Sequence, residues 1–168
     1  MKIPVEIERK FVIAMPSLFL LSTLEGYSSS EIEQTYLNSD SGVTRRVRAR
    51  KYQDRTVYTE TKKVRIDKMS AHEDEREITK DEYDNLLLER IFDTVTLFKT
   101  RHTFVYRGRI FEVDIYPYWE RTAILEVELD SRDMKIDMPA FIKVIAEVTG
   151  DIRYSNAAMS KEFPKELI

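Results

Sequence analysis

The chain has no cysteine, which excludes disulfide staples, thiol nucleophiles and thiolate metal sites, and is compatible with a reducing cytoplasm. Its two histidines, His72 and His102, stand apart, so neither a zinc site nor a Ser-His-Asp arrangement finds its spacing. They read as surface or packing residues. Glycine is scarce, at four residues, and no glycine-rich phosphate loop is present. The longest apolar run, "SLFLLSTL", is far too short to cross a bilayer, and the start does not resemble a signal peptide. The chain therefore reads as soluble and cytoplasmic, with no membrane partner. Excess charge of one sign is lacking too: 27 basic and 30 acidic residues leave a net charge of −3. Information must lie in how the signs are arranged.

At 168 residues the simplest organisation is a single domain over 1–168, large enough to bury its own core. Alternation, with Val, Ile, Thr, Tyr and Phe enrichment, predicts strands near 2–13, 31–39, 43–52, 55–66, 70–79, 91–106, 108–116 and 121–130. "NSDSG", "YQDR" and "YRGR" supply hairpin turns between consecutive strands. Helices are expected as a short turn after Pro16, at 80–90, at 139–149 and near 156–162. Leu86, Leu87, Ile142, Ile145 and Ala146 are placed to bury against a sheet.

Charge parity carries the functional signal. Successive strand residues face opposite sides, so "EIERK" puts Glu6, Glu8 and Lys10 on one face, neighbouring carboxylates roughly 6 to 7 Å apart. "TRRVRAR" groups Arg46, Arg48 and Arg50, "VYTETKK" groups Tyr58, Glu60 and Lys62, and "HEDEREI" groups Glu73, Glu75 and Glu77. "FKTRH" groups Lys99 with Arg101, "FEVDIY" Glu112 with Asp114, and "LEVELD" Glu126 with Glu128. An ordinary small barrel would turn such faces to water. The alternative is an inverted barrel whose charged faces line a passage while helices and loops cover its apolar outside. Acidic pairs on the first, seventh and eighth strands, and basic pairs on the third and sixth, favour inversion, because closure brings first and last strands together. Glu6, Glu8, Glu126 and Glu128 could then surround a hard divalent cation. Arg and Lys on the other walls suit a polyanion that also chelates metal, as phosphate chains do. "RRVRARK" does not read as a nucleic-acid surface amid such dense acidic faces.

At these residues the chain resembles the CYTH superfamily, the triphosphate tunnel metalloenzymes. "EIERK", "RVR" at 46–48, Lys62, "EREI", "KTR", "FEVD", "LEVEL" and "VTGDIRYSN" occur in that family's order. The resemblance implies a mainly β (α+β) fold, an eight-stranded antiparallel β-barrel tunnel with a charged interior and a few flanking α-helices, binding triphosphate with Mg²⁺ or Mn²⁺. It implies Glu6, Glu8, Glu126 and Glu128 as metal ligands, with Asp114 and Glu112 as helpers. Lys10, Arg46, Arg48, Lys62, Lys99, Arg101 and Arg153 are implied as phosphate contacts, and Lys99 as the base. Some members carry a Lys where this chain has Ser155, which bears on chain-length preference. The expected activity is a metal-dependent triphosphatase acting on the terminal phosphoanhydride of a triphosphate-containing small molecule. The same lining could serve an adenylyl cyclase or a non-catalytic polyphosphate-binding module. A homodimer is compatible with the sequence.

Overall fold

The computed structural model describes residues 2–167. Eight antiparallel strands close into a barrel: β1 (Val5–Ala14), β2 (Ser28–Leu37), β3 (Thr44–Lys51), β4 (Thr56–Arg65), β5 (Ser70–Ile78), β6 (Leu97–Tyr106), β7 (Arg109–Ile115) and β8 (Thr122–Glu128). The sheet order is β5-β4-β3-β2-β6-β7-β8-β1, and β5 pairs with β1 to seal it. β1 pairs with β8 from Glu8↔Glu128 to Ala14↔Thr122 on one edge. Its other edge is shared: residues 5–7 meet β5.

That stagger leaves the second half of the β1 edge open, and a ninth strand, β9 (Val144–Glu147), fills it through Phe11↔Glu147, Val12↔Ala146 and Ile13↔Val144. The helix expected over 139–149 is therefore corrected. Pro139 to Ile142 make only a turn, and β-branched Val144 and Ile145 continue as strand where unpaired β1 backbone needs partners. Ile145 is consequently exposed, although Ile142 is buried.

The apolar faces point outward and are covered. Phe11, Ile13, Phe104, Phe111, Val113, Leu125 and Val127 are buried beneath α1 (Leu18–Ser22), through Leu21, and beneath the 134–142 segment. On the opposite side α2 (Lys80–Leu86) lays Tyr83 over Leu37 and Val47. Thr79 caps that helix by accepting from the Glu82 amide, and Asp81 and Glu82 complement its first-turn dipole. Arg107 and Gly108, both at positive φ (47° and 73°), form the tight turn joining β6 to β7. No helix among the described residues is long and apolar enough to cross a membrane.

Candidate functional site

Inward-facing residues of neighbouring strands share a parity set by the register. Lys10↔Glu126, Gln34↔Arg48, Tyr36↔Arg46, Arg46↔Thr61, Thr61↔Glu75, Lys63↔Glu73, Arg101↔Asp114 and Glu112↔Glu126 are directly opposed pairs. They enclose a cavity of about 930 Å³ lined by nine basic and eight acidic side chains. So balanced a lining is not a simple anion trap. Its ends differ, because an apolar plug of Val12, Tyr36, Leu97, Tyr116, Trp119 and Ile124, joined by Tyr154 and Met159 of the C-terminal segment, packs across one of them. That segment holds α3 (Asn156–Met159), and the Lys10 ammonium donates to the Tyr154 carbonyl at 3.2 Å.

The cavity has an acidic sector where β1 meets β5. Glu6 is pushed up to about 8 by burial, then by a hydrogen bond to Glu73 and by the charge of Glu8. Glu8 is raised by burial and by Glu126. Glu73 goes the other way: burial lifts it, but the Glu6 proton, Arg46 and Lys63 outweigh that and hold it ionised. The carboxylates are thus crowded enough to share a proton. Lys63 is the nearby cation, 3.3 Å from Glu6 and 3.6 Å from Glu73.

The floor is a buried ion cluster. Asp114, wholly buried, accepts from Lys99 Nζ at 2.7 Å and from Arg101 Nε and Nη2 at 2.7 and 2.9 Å. Burial raises the Asp114 carboxyl, but Arg101 and Lys99 reverse this and hold it well below the usual carboxylate range. Arg101 also meets Glu112 at 2.9 Å and Glu126 at 3.5 Å.

Several expected ligands lie elsewhere. Lys62 points outward into solvent, and Lys63 takes the inward position on β4 with Thr61 and Arg65. The hairpin register explains it: because Arg46 opposes Thr61, even residues of β3 share a face with odd residues of β4. Lys62 stands opposite Arg45 instead. Reading each strand's charges separately missed Lys63, and the turn between the strands was the signal that could have found it. Arg153 lies outside the lining and pairs with Asp151 at 2.7 Å. Glu128 has inward parity opposite Glu8 but is exposed at the strand end and does not reach the cavity. Asp114 is wholly buried, outside the lining, and accepts three bonds from its two cations. Lys99 does not line the cavity, and its side chain has 0% exposure. It lies beneath the bore rather than at its surface. Glu6, Glu8, Lys10, Arg46, Arg48, Arg101 and Glu126 all line the cavity.

Among the described residues no three carboxylate or imidazole groups converge as a metal cage. What is present is a proton-sharing pair, Glu6 and Glu73, with Glu8 close enough to raise Glu6, a setting in which a hard cation could take the place of the shared proton. Mg²⁺ commonly takes one or two carboxylates and completes its shell with water and substrate phosphate. The residues fit such an ion.

No family model and no curated protein matches the chain by sequence. Solved structures do. It is similar to the inorganic triphosphatase NE1496 at 25% identity and TM-score 0.58, over 95% of this chain and 96% of that one. It is also similar to the PH1819 protein of Pyrococcus horikoshii, at 22% identity and TM-score 0.59 over 76% and 80% of the two chains. The PH1012 protein of the same organism matches at 22% identity and TM-score 0.54 over 75% and 80%. The barrel with its charged bore is a triphosphate-tunnel fold. Its motifs resemble those of the CYTH superfamily, and its fold is similar to that of these proteins.

Proposed function

We propose that the protein is a divalent-metal-dependent triphosphatase that hydrolyses the terminal phosphoanhydride of inorganic triphosphate or a related triphosphate compound. The observation that carries this reading is the bore itself, where half-buried Arg46 and buried Arg48 face an acidic sector of Glu6, Glu8 and Glu73 across one enclosed space. A basic wall alone would suit any anion, and an acidic one alone any cation. Both together suit a phosphate chain carrying its metal. Similarity over nearly the whole length to an inorganic triphosphatase supports the same reading.

Phosphoryl transfer asks mainly for alignment and charge neutralisation. Arg46 and Arg48 offer guanidinium forks to phosphate oxygens, and Lys10 and Lys63 add point charges nearer the acidic sector. Glu6 and Glu8 would hold Mg²⁺ or Mn²⁺, with Glu126 between them and Arg101. The bound ion would supply charge neutralisation at the phosphate oxygens and a more acidic water. Water then attacks the terminal phosphorus, the anhydride P–O bond breaks with its electron pair going to the bridging oxygen, the water's proton passes to phosphate oxygen or solvent, and orthophosphate and the shortened phosphate leave. Lys99 and Asp114 act beneath the bore by holding Arg101 in place. A substrate panel of triphosphate, thiamine triphosphate and ATP, with either metal, tests the reading by orthophosphate release and cyclic AMP formation. Orthophosphate that disappears in Glu6→Gln and Arg48→Ala supports it. Cyclic AMP from ATP without orthophosphate would make the chain a cyclase, and binding with neither product a polyphosphate-binding module.

A further inference from the structure

The buried cations of the barrel are not treated alike. Lys99 and Arg101 each have a carboxylate at 2.7 Å. Arg48, only 8% exposed, makes no ion pair among the described residues. Its partner is an amide: Gln34 Oε1 accepts from Arg48 Nη2 at 3.0 Å and from Nε at 3.3 Å. Gln34 is itself 0% exposed; the donor-only guanidinium of Arg48 demands its oxygen, which leaves Nε2 to donate to the Tyr36 hydroxyl at 3.2 Å. Tyr36 stands opposite Arg46, which does have a carboxylate near it, Glu73 at 3.6 Å from its Nη2. A buried guanidinium left uncancelled is costly unless an anion completes it.

We propose that Gln34 is a positioning residue that presents the Arg48 charge to the bore without neutralising it, making Arg48 a metal-independent anchor for the phosphate chain. The inference rests on the reading of the bore as a triphosphate site. A glutamate at position 34 would hold Arg48 just as firmly and cancel its charge. A methionine would keep the volume and remove the acceptor.

The test measures inorganic triphosphate binding by calorimetry in EDTA, where no turnover complicates the reading, together with melting of the ligand-free protein. Gln34→Glu is expected to weaken binding by about tenfold or more, the loss of one charge-assisted contact. Its empty form should melt at or above the wild-type temperature, because the buried charge gains a partner. A merely structural role would lower both. Binding within twofold of wild type, or weaker binding accompanied by a lower melting temperature, overturns the proposal. Should Gln34→Glu fail to fold, Gln34→Met decides, with weakening of about fivefold expected and unchanged affinity refuting it. Wild-type protein that binds triphosphate in EDTA but releases no orthophosphate with Mg²⁺ or Mn²⁺ ends the hydrolase reading and leaves the anchor standing. Turnover without metal-free binding does the reverse.

Discussion

Replacing Asp114 with asparagine asks whether charge holds the floor of the bore. In the wild type this carboxylate accepts three short bonds from Lys99 and Arg101. Arg101 keeps Glu112 and Glu126 after the change, but Lys99 has no other ion-pair partner among the described residues. Breaking a buried pair by removing one member costs about 3 to 5 kcal/mol. Lys99 can limit that cost by losing its proton. In the wild type burial pulls Lys99 down to about 7 against the attraction of Asp114, so well above pH 7 it is already neutral and the pair adds little. Below pH 7 the wild-type pair is charged, and shedding the proton in the variant costs about 1.4 kcal/mol for each pH unit. The limit is then about 3 kcal/mol at pH 5 and near zero at pH 9. Between about 7 and 10.5 the unfolded chain binds the extra proton, so in the wild type this group adds stability as pH rises. Urea unfolding of Asp114→Asn at pH 5 and pH 9 measures the difference. At pH 5 the melting temperature should fall by about 10 °C, given about 2 to 4 °C per kcal/mol in a chain of this size. A penalty below about 1 kcal/mol at pH 5, or one that does not shrink toward pH 9, would refute the reasoning.

Other perturbations probe the walls. Lys63→Ala should lower kcat/KM for triphosphate by about tenfold or more, whereas outward-facing Lys62→Ala should stay within about twofold, and the reverse order would place the β4 register wrongly. Glu8→Gln should raise the Mn²⁺ concentration needed for half-maximal activity by about tenfold, checked by metal titration at saturating triphosphate, and an unchanged curve would remove Glu8 from the ion's shell. Gly150→Ala should lower the melting temperature by several degrees, because φ is +74° there and an added Cβ would lie 2.7 Å from Lys68 Cβ; an unchanged melting curve would contradict that packing.

Much of this architecture was legible in parity. Eight alternating runs with charge on one face, and acidic faces on strands that closure makes neighbours, favour a charged bore over an ordinary barrel with those faces turned to water. Relations between strands were less legible. Lys62 and Lys63 are adjacent lysines, and only the sum of paired residue numbers across the hairpin tells which one turns inward. β9 was missed because a short apolar run such as "FIKVIAEV" suits helix or strand alike, and the open half of the β1 edge that decides between them is a product of barrel stagger. Lys99 and Asp114 looked like site residues because charge pattern does not reveal depth, and both proved to lie below the lining. Gln34 was invisible to a reading of charges, being neutral, yet it determines how the Arg48 charge is presented.

Diffraction from crystals soaked with triphosphate and Mn²⁺, with anomalous scattering recorded, tests the central claim most directly. The account predicts a manganese peak beside Glu6 and Glu8 and a phosphate chain inside the barrel reaching Arg46 and Arg48. Metal and phosphate found only on the outer surface, with the bore unchanged, would contradict it.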